Sequence, residues 1–199
     1  MKIGIVGTRG IPAQYGGFEV LAENLTRIFS TDGHQVFVTG FSDSKNEIEF
    51  GNNRLVTTVN VTIKCYPRFQ NFIGTWNACS ILNKRTKLDA VIVLNEVNYF
   101  VARKYQKLGV KTVLHLDGAE ARRSGLPIIG KWAHRFFRKL AIRSKITLVV
   151  DSMSIKKDLN IRSQKVAVIT YGPHFDKAMK PRFEMVELQP KGYFVAIAR

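Results

Sequence analysis

KIGIVGTRGIPAQYGGFEVLAENL, residues 2–25, decides the fold of this chain. A short β-branched run, Lys2 to Val6, opens into a glycine-bearing loop and then into a helical pattern, Leu21, Leu25, Ile28 and Phe29. A strand, a glycine loop and a helix in direct succession are the first half of a βα unit of a parallel sheet. The loop fits neither common phosphate fingerprint. A dinucleotide-binding turn needs GxGxxG, but five residues separate Gly10 from Gly16. A P-loop needs Lys followed by Ser or Thr after its last glycine, and here Phe18 and Glu19 stand there. What remains is a long loop carrying Arg9 and Tyr15 and closed by Gly16-Gly17 at the first turn of a helix. Backbone N–H groups there, unscreened by side chains, suit an anion. The same glycine pair also serves a plain tight turn.

Outward from that stretch the βα pattern repeats. β-Branched runs occur at Gln35 to Thr39, Thr62 to Tyr66, Ala90 to Leu94, Thr112 to Leu116, Thr147 to Val150 and Val166 to Thr170. Most are separated by apolar residues at helical spacing, such as Val97, Val101, Tyr105 and Leu108. The expected fold is α/β, a Rossmann-like doubly wound parallel sheet with helices on both faces. Phe41 to Asn60, polar and Asn-rich, is expected to be a loop or an edge hairpin. We expect a domain over residues 1–172, a Pro- and charge-rich linker over 173–191, and over 192–199 the first strand of a second domain that is absent.

In an open parallel sheet, ligands bind outside the carboxyl ends of the strands. Those ends are predicted to carry Gly7 to Gly17, Asn95 with Glu96, His115 with Asp117, Asp151 with Ser152, and Tyr171 with Gly172. Asp and Gly end strands in many βα proteins, but their gathering at five strand ends favours a site.

Composition narrows the function. The chain has 199 residues, 45% of them apolar, enough for a packed core. Cys65 and Cys79 are far apart and lack any CxxC or His pairing, so we expect reduced thiols and neither a disulfide framework nor a metal site. No apolar run approaches bilayer-spanning length, and a cytoplasmic location is expected. Lys and Arg number 31 against 15 Asp and Glu, a formal charge of +16, which points to a polyanionic partner. From Ala121 to Val150 there is no acid at all. Within it, GKWAHRFFRKLAIRSK, residues 130–145, is predicted to be an amphipathic helix, with Trp132, Phe136, Phe137 and Leu140 on one side. Lys131, Arg135, Arg138, Lys139 and Arg143 occupy the remainder and form a candidate anionic-membrane surface. The same pattern also describes a helix whose aromatic side packs on the sheet.

The opening motif resembles the amino terminus of bacterial glycosyltransferases of the GT-B fold, in particular the rhamnosyltransferase family beginning GTRGIPAxYGGFE. The likeness continues in HLDGAEARRSG, VVDSMSIKKDL and ITYGP, and so reaches Gly172. Ala121 departs from it, standing where the family has Trp.

The resemblance implies the amino-terminal half of a two-domain, retaining, metal-independent enzyme that moves a hexosyl or rhamnosyl group from a nucleotide-sugar to a polysaccharide or lipid-linked acceptor. No cofactor is expected beyond the donor substrate, with dTDP-rhamnose as the candidate. The expected partners are that donor, the acceptor, the anionic inner membrane face and the missing donor-binding domain, without which the chain should be inactive. Gly16, Gly17 and Arg9 would meet the donor diphosphate. Tyr15, Phe18, Glu19, His115, Glu120 and Arg122 would line the acceptor side. Asp117 would be the catalytic residue, orienting the acceptor hydroxyl or taking its proton. Two other readings use the same residues: a non-catalytic acceptor-binding module needing a separate donor-binding chain, and a basic nucleic-acid-binding domain. Against the last, no helix-turn-helix, RNP-like or zinc pattern is present.

Overall fold

The computed structural model describes residues 1–13, 16–40, 56–60, 70–116, 127–161 and 166–170. Seven strands form one all-parallel sheet: β1 Lys2–Val6, β2 Gln35–Gly40, β3 Val56–Asn60, β4 Ala90–Leu94, β5 Lys111–His115, β6 Thr147–Val150 and β7 Val166–Val168. Their order is β3-β2-β1-β4-β5-β6-β7. The chain winds outward from β1 to one edge, crosses back to β4, and winds to the other. The Rossmann-like expectation is therefore met, and the topological switch point lies between β1 and β4.

The helices are α1 Gly17–Thr31, α2 Gln70–Arg85, α3 Tyr99–Lys107, α4 Ile128–Arg143 and α5 Met153–Asp158, with a 3-10 turn at Glu96–Asn98 before α3. Right-handed crossovers reverse the covered face when the winding direction reverses. Accordingly α1 packs Leu21 and Ala22 on Ile5, Val36 and Val38 on one face. Helices α2 to α5 cover the other, where Leu82, Val101, Ala102 and Ala141 meet Val91, Val93, Leu114 and Leu148. Each fully buried Leu or Val here contributes about 1.5–3 kcal/mol through lost apolar exposure. Burial on both faces explains why β4 reads AVIVL rather than alternating.

Two expectations need correction. Residues 56–60, assigned to a loop or hairpin, form β3, an edge strand pairing in parallel with β2 from Val36↔Val56 to Gly40↔Asn60. The polar composition had masked a β-branched core, Val56, Thr57, Thr58 and Val59, whose Val56 and Val59 are buried. The strand expected over 62–66 lies outside the described residues, as do the linker and the final strand. The second correction concerns α4. Its inward face is formed by His134 and Ala141, with Phe137 and Leu140 only partly buried, while Trp132 and Phe136 are exposed.

Candidate functional site at the carboxyl edge of the sheet

The opening loop leaves β1 at Gly7, whose φ of 95° suits glycine. A Cβ there would press on the Leu94 carbonyl and lie 2.8 Å from Asn98 Nδ2, so β1 and β4 close on each other directly at the switch point. Asn98 Nδ2 also donates to the Leu94 carbonyl at 2.9 Å. Thr8, buried, ties the loop to β2 by donating to the Thr39 carbonyl at 3.2 Å, and its Oγ1 accepts from the Gly10 N–H at 2.7 Å.

Two carboxylates of α1 hold the loop from the other side. Glu19 accepts from the Arg9 N–H at 3.0 Å, and Glu23 from the Ala13 N–H at 2.7 Å. The loop N–H groups of Arg9, Gly10 and Ala13 thus serve the fold. The anion-binding donors expected here narrow to the first turn of α1, the N–H groups of Gly17, Phe18 and Glu19 that precede the first helical bond, from Val20 N–H to the Gly16 carbonyl. Gly16, at φ 113°, is its N-cap, and a Cβ there would strike the Glu19 carboxylate. Gly17 is exposed, and the Arg9 side chain is exposed as well.

Glu19, expected on the acceptor side, is instead buried and braces the loop. Phe18 is half-buried and sets its ring edge-on to His115, with centroids 5.4 Å apart. That contact joins the start of α1 to the end of β5. His115 sits in register between Leu94 of β4 and Val149 of β6. It is buried, which holds its imidazole below the usual histidine range because the charged form is desolvated; Asp151 and Glu96 oppose that shift from nearby.

Beyond β4, Asn95 adopts φ 71° and accepts from the Val97 N–H at 3.1 Å, turning the chain into the 3-10 turn. This turn points Glu96 into the protein. Glu96 is fully buried and accepts from Arg138 Nη2, with His134 Nδ1 at 3.2 Å. Arg138, expected on the membrane surface, is therefore turned inward; a buried carboxylate requires a counter-charge, and α4 supplies it. Lys131 is half-buried, while Arg135, Lys139 and Arg143 are exposed as expected. Ser152, another strand-end residue, caps α5 by accepting from the Ile155 N–H at 3.2 Å.

The structure thus brings Gly16, Gly17, Phe18 and His115 together at the switch-point edge, with Glu96, His134, Arg138 and Asp151 behind them. His134 and the inward role of Arg138 were missed in the sequence; the available signal was their four-residue spacing opposite a charged strand end. Tyr15, Asp117, Glu120 and Arg122 lie outside the described residues. Among the described residues, no group of three or more His, Cys, Asp or Glu could hold a metal ion. No described helix is long and apolar enough to cross a membrane.

An all-parallel α/β sheet whose winding reverses between β1 and β4 defines a Rossmann-like domain. The chain belongs to the family described as a domain of unknown function, DUF1972, whose model matches residues 1–174. No curated protein matches the sequence. Among solved structures, the chain is similar to one from E. coli described as trehalose-6-phosphate bound with UDP-2-fluoro glucose, with 10% identity and a TM-score of 0.39. The match covers 80% of this chain and 42% of that one, so the chain spans well under half the length of that structure.

Proposed function

We propose that this domain is the acceptor-side half of a glycosyltransferase that moves a sugar, with rhamnose carried as dTDP-rhamnose the leading candidate, to a polysaccharide or lipid-linked acceptor at an anionic membrane face. The observation that carries this reading is the braced opening loop. Glu19 and Glu23 hold it so that the first turn of α1, bare of side chains at Gly16 and Gly17, stands beside His115 at the switch point. Such a turn offers N–H donors and the positive end of a helix dipole to a diphosphate. The family resemblance of the same residues supports the assignment of that diphosphate to a nucleotide-sugar.

In this reading Gly17 admits the diphosphate to the backbone and Arg9 adds charge from the loop. Phe18 and His115 form the wall toward the acceptor, and Asp117 orients or deprotonates the acceptor hydroxyl. The sugar is transferred with retention and without a metal.

The test is transfer of labelled sugar from a panel of nucleotide-sugars to a membrane lipid extract by this domain joined to its donor-binding half. Gly17→Val is the informative variant, because the first residue of a helix accepts a side chain without the strain that Gly16 would suffer. We expect the donor KM to rise at least about tenfold, the loss of a charge-assisted contact or two. An unchanged KM would return the glycine pair to a structural turn.

A further inference from the structure

We propose that α2, α3 and α4 together form one lipid-binding face, and that its occupant is an anionic phospholipid bilayer. The proposal rests on the membrane-face reading above and gives it a surface that differs from the basic side of α4 alone.

Isolated exposed apolar residues are ordinary on soluble proteins, but contiguous ones mark an interaction surface. Ile128, Ile129 and Trp132 of α4 are 79%, 82% and 69% exposed, and Phe136 follows one turn later. The patch continues sideways through Phe137, whose ring lies 5.5 Å from that of Phe136, 5.6 Å from that of Phe100 on α3 and 6.5 Å from that of Phe72 on α2. Between α2 and α3 a groove of about 640 Å³ is floored by Phe72, Ile73, Trp76 and Phe100 and rimmed by Lys104 and Lys107. Both tryptophans of the chain, Trp76 and Trp132, project from this one layer.

Charge selects the occupant. None of the three helices carries an Asp or Glu, and all three carry Lys or Arg. Lys104 Nζ stands 4.8 Å over the Trp76 ring, a cation beside an aromatic at the rim of the groove. Tryptophan and basic residues flanking aliphatic side chains match the headgroup boundary of an anionic membrane, where rings lie at headgroup level and aliphatic tips reach the acyl chains. Ile128 and Ile129, the most exposed large apolar side chains among the described residues, offer nothing to the phosphates or bases of a nucleic acid. A bilayer on this face lies opposite α1.

The test adds the chain to vesicles of about one-third phosphatidylglycerol in phosphatidylcholine and follows cosedimentation and tryptophan emission at low salt. We expect binding with a shift of emission to shorter wavelength, little binding to neutral vesicles, and release as salt rises. The exposed pair Ile128→Ser with Ile129→Ser, checked for fold by circular dichroism, should bind at least about tenfold more weakly. Lys104→Glu with Lys107→Glu should do the same. Binding to anionic vesicles with no emission shift, or unaltered by either pair, overturns this surface and leaves membrane association itself standing. If vesicles do not bind while duplex DNA does, both ideas fail. None of these readouts depends on sugar transfer.

Discussion

Arg138 of α4 donates to the carboxylate of Glu96, at the carboxyl end of β4, and so pairs a fully buried acid with the most inward cation of a helix that is otherwise basic on its outside. The pair pins α4 against the switch-point side of the sheet. It also sets which residues of that helix face the solvent.

Removing one partner should cost far more than the pair contributes. Arg138→Met leaves the buried Glu96 carboxylate without its guanidinium counter-charge, and we expect a loss of about 3–5 kcal/mol in urea unfolding. Glu96→Gln, which removes the charge needing compensation, should cost less. Equal losses in the two variants would mean that the pair acts by packing alone.

Glu19 should matter for the loop more than for the helix. Glu19→Ala deprives the Arg9 N–H of a charged acceptor, a bond of about 1.5–3 kcal/mol. Amide exchange at Arg9 should accelerate sharply in this variant while exchange in β4 and β5 stays slow. An unaltered Arg9 rate would show that Thr8 and Glu23 fix the loop without Glu19.

His115 should make stability depend on pH. Burial lowers its pKa in the folded chain, with Asp151 and Glu96 opposing. The unfolded chain therefore takes up the proton first as pH falls through about 6.5, and stability drops from there down to the lower folded value. Its contribution is fully present above that window. We expect His115→Gln to flatten the slope of unfolding free energy against pH below 6.5, and an unchanged slope would remove His115 as its source.

Cys79 should be chemically silent in the native state. Burial raises its thiol to about 12, against the lowering effects of Tyr105 and Lys104. Since only the thiolate reacts, alkylation of Cys79 at pH 8 should follow global unfolding and accelerate with urea. Rapid labelling of Cys79 in the folded chain, located by peptide mass mapping, would contradict its burial.

Much of this protein is legible along the chain. Strands β1, β4, β5 and β6 announce themselves as apolar β-branched runs, and the Gly16-Gly17 turn announces the start of α1, because strand and helix periodicities are local properties. Edge strand β3 does not, since Thr57 and Thr58 sit among polar neighbours and its pairing partner β2 is distant in sequence. The site divides the same way. That polar residues cluster at strand ends follows from the βα pattern, whereas the meeting of Phe18 with His115 requires β1 and β5 to flank β4, an order set by the reversal of winding.

The amino-acid sequence by itself determined the alternating architecture, the basic charge and the glycine loop, all of which depend on near neighbours. Only the tertiary structure decided how α4 is turned. Periodicity alone groups its aromatic residues on one side and its cations over the remainder, and leaves open which of them meet the sheet. A carboxylate fully removed from water at Glu96 draws His134 and Arg138 inward, because an uncompensated buried charge costs more than leaving Trp132 and Phe136 in solvent.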